Sequence, residues 1–190
     1  MKHPNPIIEG MFDPEHFSEF GHALIDILAK HLELNLSGVD KVLNWHDPII
    51  EDLNWQSPPP NKPLFNSVEL LNQLQDILKK NLAIHHPHSI GHQVSPPLPI
   101  AALCDLVASL TNQAMAVYEA GPSATMLERQ VIRWLCNLID KSSWSKAGGV
   151  LTSGGAQANL TALLVARQVS TSRHAKDMNV WKNGLNNNYK

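Results

Sequence analysis

The chain has 190 residues, of which 43% are hydrophobic and 17% charged, and its formal net charge is −2. That length fits one ordinary domain or one and a half small ones, and the composition excludes a disordered chain. The near balance of charge excludes a broad field that would draw in nucleic acid or an anionic membrane. An aromatic content of 6% leaves no basic-aromatic stripe for single strands.

The opening residues MKHPNPIIEGMFDPEHF lack the long apolar run of a signal peptide. No segment approaches the roughly 18 apolar residues that a membrane span needs. A soluble, cytoplasmic protein with no membrane or nucleic-acid partner is expected. Cys104 and Cys136 lie inside apolar helical patterns and read as buried thiols in a reducing compartment. No CxxC and no Cys/His ligand spacing supports a disulfide or a metal pair.

In chain order, Asp13-Pro14 opens the first helix, with Asp13 as cap and Pro14 at the first helical position. Phe17, Phe20, Leu24, Ile27, Leu28 and Leu32 recur at helical spacing, and Gly38 is expected to stop the helix near Leu34–Ser37. The stretch NWQSPPPNK, residues 54–62, reads as a connector, because consecutive prolines exclude helix. Trp45, Trp55 and Phe65 around it suggest a segment laid against a surface. Ser67 is expected to cap a second helix with Val68, Leu71, Leu74, Ile77 and Leu78 on its apolar face and Lys79-Lys80 at its negative end. The segment IHHPHSIGHQVSPPLP, from Ile84, is too broken by proline and glycine for regular helix and reads as a site wall.

Pro99 begins a third helix, predicted over IAALCDLVASLTNQAMAV. A turn at Glu119–Ser123 precedes Thr125-Met126-Leu127-Glu128, which has the form of a capping box. Leu127, Val131, Trp134, Leu135 and Leu138 give the fourth helix a stripe expected to be buried. The polar loop DKSSWSKA then leads to GGVLTSGGAQANLTALLVAR, Gly148 to Arg167, where a strand around Val150–Thr152 is expected to run through a glycine pair into a helix. There is no internal repeat, and the last residues, WKNGLNNNYK, are polar.

At about 100° per residue, Leu160, Leu163, Leu164 and Arg167 fall on one side of that last helix. Ala158, Ala162, Val165, Ala166 and Val169 fall roughly opposite, with Gln157, Thr161 and Gln168 as a narrow polar stripe between. A helix apolar on two sides is expected to be covered on two sides, between a parallel sheet and other helices. At its N-terminus the first N–H groups lack partners and the macrodipole is positive. Gly154 and Gly155 would let an anion approach those amides. The plainer alternative, a tight strand-to-helix turn, stays open. The spacing matches neither a P-loop nor the GxGxxG dinucleotide pattern.

Three blocks together resemble the pyridoxal-phosphate-dependent amino-acid decarboxylases of the aromatic-amino-acid, glutamate and diaminobutyrate group. They are HPHSIGHQVSPPLPIAALCDLVAS, NQAMAVYEAGPSATMLERQVIRWL and GGVLTSGGAQANLTALLVAR, in the family's order and spacing from His86 to Arg167. The resemblance implies an α/β, aspartate-aminotransferase-like fold (PLP fold type I), predominantly helical in this part. Residues 1–98 would be the N-terminal helical, dimer-wrapping segment with the pocket-wall loop, and residues 99–190 the start of the cofactor-binding large domain. Pyridoxal 5'-phosphate would be the cofactor, and the protein a homodimer acting on an amino-acid substrate.

The same resemblance places Gly154, Gly155 and Ala156 at the cofactor phosphate, with Asn159 helping to order the turn. His92, Val94 and Ser95 would line the substrate side of the pocket. Asn112, Ala114, Ala116 and Tyr118 would approach the active site across the dimer interface. Ala156 stands where many members carry a hydroxyl, and Tyr118 where relatives often have Trp. The histidines His85, His86, His88 and His92 have no accompanying carboxylate or cysteine, and Pro87 splits them, so no metal site is expected. Local packing or pocket lining is the plainer reading; a general-acid role for His92 stays open.

The family's Schiff-base lysine follows a histidine well downstream of the signature, and no His-Lys pair occurs here. The chain is therefore expected to be the N-terminal part of a longer decarboxylase, with no catalytic residue of its own and inactive alone. The alternatives are a dimerisation or interaction module derived from such an enzyme, or a lyase-like relative of the same fold type. The GPSATMLE block favours the decarboxylase group. With the sheet incomplete, apolar helix faces are expected to be left uncovered and the isolated chain to associate.

Overall fold

The computed structural model describes residues 6–56, 58, 66–91, 93–139, 148–174 and 179–184. Among them the elements are α1 (Pro6–Met11), α2 (Pro14–Ser37), α3 (Pro48–Trp55), α4 (Ser67–Lys80), α5 (Pro99–Thr111), a 3₁₀ turn (Tyr118–Ala120), α6 (Pro122–Ile139), α7 (Gly155–His174) and α8 (Val180–Asn183). The chain divides into two compact units, residues 1–103 and 104–190.

In the first unit α1 and α4 both lie against α2. Asp13 caps α2 through the Glu15 N–H at 2.9 Å, and Gly38 ends it in the left-handed region at φ 69°, as the sequence predicts. Phe20, Leu24, Ile27 and Leu32 of α2 and Leu71, Leu74, Ile77 and Leu78 of α4 are half-buried, so the helical spacing marks the packed faces. The α4 cap is Asn66 rather than Ser67: its Oδ1 accepts from the Val68 and Glu69 N–H groups at 3.1 and 3.3 Å. The shift has a simple cause, since an asparagine just outside the helix reaches both amides while Ser67 already has helical backbone.

Three short helices, α1, α3 and α8, went unpredicted because they are too brief to build a periodic pattern. Each of α3 and α8 is held by a side-chain cap, Asp47 on Ile49 N–H at 2.8 Å and Asn179 on Trp181 N–H at 3.0 Å. Residues Asn54 and Trp55 therefore belong to α3 rather than to the connector. Most of residues 57–65, and all of DKSSWSKA at 140–147 except its place in the sequence, lie outside the described residues.

α3 is tied to α4 by charge. Lys80 Nζ donates to Glu51 Oε2 at 2.8 Å and sits 6.0 Å from the Trp55 ring centroid, while His46 Nδ1 lies 3.8 Å from Glu51 Oε1. The Lys80 hydrogen bond is the main cause that holds the Glu51 carboxyl below its ordinary 4.5; desolvation opposes it and the Lys80 charge reinforces it.

In the second unit, α5 stops at Thr111 instead of running on to Val117, because Asn112 turns out of the helix at φ 43°. The capping box at Thr125 does not form. α6 starts earlier, at Pro122, and the Thr125 hydroxyl donates back to the Gly121 carbonyl at 2.7 Å from inside the helix. No strand occurs among the described residues, and 148–152 is not one: a strand needs a ladder partner, and none is described beside it.

Burial corrects the core expectations. Leu127, Trp134 and Leu138 of α6 are 67%, 55% and 81% exposed, and Leu160, Leu163 and Val165 of α7 are exposed too. Both apolar sides of α7 thus lie largely open, with Leu164 half-buried, which agrees with the expectation of uncovered helix faces and not with that of a helix covered on two sides. Cys104 is exposed, Cys136 is half-buried, and neither forms a disulfide. The buried hydrophobic positions among the described residues are Ala83 and Val180. No described helix is long and apolar enough to cross a membrane.

Two outcomes test these contacts. Gly38→Ala places a Cβ 2.9 Å from Pro87 Cγ on left-handed backbone; chemical denaturation should find it less stable by about 1–2 kcal/mol from the backbone alone. Because the folded Glu51 pKa is lowered, the tie's contribution is present above the ordinary carboxyl value and fades as pH falls through the folded value. Thermal melts of wild type and Lys80→Met should therefore separate at neutral pH and converge on acidification.

Candidate functional site

The start of α7 is built by four short interactions. The first i→i−4 bond runs from the Ala158 N–H to the Gly154 carbonyl at 3.0 Å, so the amides of Gly155, Ala156 and Gln157 precede the ladder. The Ser153 hydroxyl donates to Gln157 Oε1 at 2.8 Å, and the Ser153 N–H approaches the same oxygen at 3.4 Å. The Thr152 hydroxyl donates to the Gly154 carbonyl at 3.1 Å. Gln157, which the sequence suggested only as part of a polar stripe, is thus the side chain that closes the turn. Its signal was a serine followed four residues later by glutamine at a helix start. Asn159 is exposed and has no hydrogen bond to this turn among the described residues.

Four helix starts are capped by a side chain: Asp13, Asp47, Asn66 and Asn179 each accept from the amides of their own helix. Among the described residues no such cap occurs at α5, α6 or α7, and Gly121 precedes α6 as Gly154 precedes α7. At α7 the cap position is Gly154, which has no side chain to do so. No acidic residue lies in the first turn, so nothing opposes an anion at the positive end of the helix.

The geometry bears on both readings of the two glycines, the tight turn and the anion seat. Positive φ occurs at Gly38, Gly91 and Gly184, not at Gly154 or Gly155. A Cβ added at either of the pair would meet nothing within 4 Å. Neither backbone strain nor packing within the described chain requires glycine there. Bulk is missing on a side that is open, beside amides that precede the helix ladder.

Other site residues predicted from sequence are placed as follows. His92 lies outside the described residues. Val94 and Ser95 are exposed on the irregular segment before α5, and Gln93 beside them takes φ 55°. Asn112, Ala114, Ala116 and Tyr118 are all exposed in the stretch from the end of α5 to the 3₁₀ turn. Gly121 closes that stretch tightly, since a Cβ there would lie 3.3 Å from the Ala114 backbone. Of the histidine cluster, His85 Nε2 contacts the Pro97 carbonyl oxygen at 2.9 Å and His86 is buried. No group of metal-ligating side chains occurs among the described residues.

Comparison with known proteins identifies the family. Residues 59–188 match the pyridoxal-dependent decarboxylase conserved domain. The chain belongs to the pyridoxal-dependent decarboxylase family. It is 34% identical over 110 residues to an L-2,4-diaminobutyrate decarboxylase of Acinetobacter baumannii, a match covering 58% of this chain and 21% of that protein. It is 27% identical over 169 residues to an aromatic-L-amino-acid decarboxylase of Bacillus atrophaeus, covering 88% of this chain and 34% of the other. Among solved structures, the glutamate decarboxylase domain of a diaminobutyrate-pyruvate transaminase and L-2,4-diaminobutyrate decarboxylase from Vibrio parahaemolyticus superposes with a TM-score of 0.73 at 27% identity. That superposition spans 90% of this chain and 36% of the other. Mouse CSAD shares the fold, with a TM-score of 0.71 at 20% identity.

The chain thus spans about a fifth to a third of the length of the relatives it matches. Its fold is that of the type I pyridoxal-phosphate decarboxylases, whose helical part the described residues supply, and pyridoxal phosphate is the family's cofactor. The open amides and missing bulk at α7 fit that cofactor's phosphate.

Because the glycine pair is free of strain and of neighbours, Gly154→Ala and Gly155→Ala should leave stability within about 0.5 kcal/mol of wild type in denaturant titrations. A large loss would mean that the pair serves the fold of this chain instead.

Proposed function

We propose that this chain supplies the cofactor-phosphate seat and part of the substrate pocket of a pyridoxal-phosphate-dependent decarboxylase that converts an L-amino acid to the amine and CO2. The observation that carries the reading is the α7 N-terminus, where amides without acceptors stand behind two glycines that neither backbone nor packing demands. Gly154, Gly155 and Ala156 bind the phosphate through backbone N–H groups, with Asn159 at the edge of the site. Each such charge-assisted bond contributes about 1.5–3 kcal/mol. The Ser153 hydroxyl is engaged by Gln157, and Ala156 has none, so binding rests on amides and the helix dipole.

His92, Val94 and Ser95 form the substrate side of the pocket. Asn112, Ala114, Ala116 and Tyr118 reach it from a partner subunit in a cytoplasmic homodimer. When bound, pyridoxal phosphate supplies a ring that stores the electron pair left behind as the substrate carboxylate departs. The lysine that carries the cofactor lies outside these residues, so the 190-residue chain is inactive by itself.

A second reading is favoured by one observation, the exposed apolar faces of α6 and α7. On it the chain is an inactive dimerisation or interaction module that keeps the helices and loses the chemistry. Exposure of this extent also leads us to expect the isolated chain to self-associate in sedimentation velocity; a sharp monomeric boundary would speak against both readings of these faces.

The phosphate seat is tested by binding. Titrating pyridoxal phosphate while recording its phosphorus resonance should give saturable binding that Gly155→Leu weakens by about tenfold or more, the order of one lost charge-assisted bond, with the fold unchanged by circular dichroism. Equal binding by Gly155→Leu and wild type would remove the seat from α7. Amino-acid-dependent CO2 release by the 190-residue chain alone would refute its inactivity.

A further inference from the structure

His86 is 5% exposed, and both of its ring nitrogens are engaged. Nε2 lies 2.9 Å from the carbonyl oxygen of Asp40, 46 positions earlier in the chain. Nδ1 lies 3.0 Å from the His88 backbone nitrogen, which can only donate. The two contacts together select one neutral tautomer, with the proton on Nε2. The other tautomer would set an N–H against the His88 N–H and a lone pair against a carbonyl oxygen.

The surroundings join the same two loops. The Ala83 N–H donates to the Val42 carbonyl at 2.9 Å. Pro87 Cγ approaches to 2.9 Å from where a Cβ on Gly38 would stand, so only glycine lets the His-Pro pair this close to the end of α2. Beyond His86, the Ser89 N–H donates to the His86 carbonyl at 2.9 Å and closes a turn. Val94 and Ser95 follow further along the same segment and are exposed.

We propose that His86 is a positioning residue for the substrate pocket. Its Nε2–H holds the turn after α2, its Nδ1 holds the turn at His88, and the ring between them sets the direction in which the chain leaves Pro87. The proposal rests on the reading of Val94 and Ser95 as pocket wall. The loop clip itself involves neither cofactor nor substrate.

Two variants of the full 190-residue chain each keep half of the clip. In His86→Asn the side-chain oxygen replaces Nδ1 for the His88 amide but nothing reaches Asp40. In His86→Gln the amide nitrogen reaches towards Asp40 and the local acceptor is lost. Native-state hydrogen exchange reads the two halves at Ala83 and His88, with amides of α2 and α4 as the internal reference for global stability. Thermolysin cleavage before Val94 reads the position of the wall. His86→Asn should speed Ala83 exchange and Val94 cleavage by about tenfold, the order expected from one lost hydrogen bond, and spare His88. His86→Gln should do the reverse at the two amides and keep cleavage near wild type. Unchanged Ala83 exchange and cleavage in His86→Asn, or equal losses at both amides in both variants, would overturn the proposal. In the assembled enzyme His86→Asn should raise KM for the amino acid with little change in kcat. An intact crossed exchange pattern with no KM change would instead reject the pocket-wall reading and leave the clip standing.

Discussion

The amides of Gly155, Ala156 and Gln157 stand at the positive end of a twenty-residue helix with no acceptor supplied by that helix. A buried N–H left without a partner costs about 1–3 kcal/mol; those at a helix start are taken up by a cap or, where exposed as these are, by water. Four other described helices are capped by aspartate or asparagine, while α5 and α6, like α7, show no such cap among the described residues. At α7 glycine holds the cap position, and the nearest hydroxyl and amide side chains, Ser153 and Gln157, are bound to each other. The turn is ordered without its donors being consumed. Side chains fix the turn and leave the backbone N–H groups at the helix start unused by it, while membership of the pyridoxal-dependent decarboxylase family rests on the match over residues 59–188.

A second constraint follows from the same helix. α7 carries leucines on one side and alanines and valines on the other, and both sides are open among the described residues. Its apolar residues were chosen for contacts that these residues do not supply. The same holds for α6, whose Trp134 and Leu138 face solvent. With Val180 the buried hydrophobic of the second unit among the described residues, that unit is held in large part by local terms: helix ladders, the Thr125 and Thr171 hydroxyls bonded back to carbonyls, and the Arg167 guanidinium 5.7 Å from the Trp181 ring. A solved relative that superposes with a TM-score of 0.73 while being far longer is consistent with these faces being covered in a larger fold.

The first unit is held differently. Its helices α2 and α4 bury part of their apolar stripes against each other, but the ties that bring α3 and the loops onto them are polar. They are the Glu51–Lys80 pair, the Asn44 side chain on the Lys79 carbonyl at 2.8 Å, and His86 on Asp40. Exposed pairs of this kind contribute little to stability, about 0–1 kcal/mol each. They do fix direction, and the buried His86 fixes it most firmly because both of its nitrogens are engaged.

The sequence by itself determined the long helices, since apolar spacing, Asp13, Gly38 and the Pro99 start are local signals read by the residues they act on. It also determined the family, through three blocks in fixed order. It did not reveal α1, α3 or α8, which are too short for periodicity, nor the cap at Asn66, nor the early start of α6, where a proline outweighed the capping box at Thr125. Tertiary structure alone decided which apolar faces are covered and which histidine matters. Periodicity marks a face as apolar without saying what lies opposite it. Likewise, the worth of His86 depends on a carbonyl 46 positions away that only folding brings to its ring.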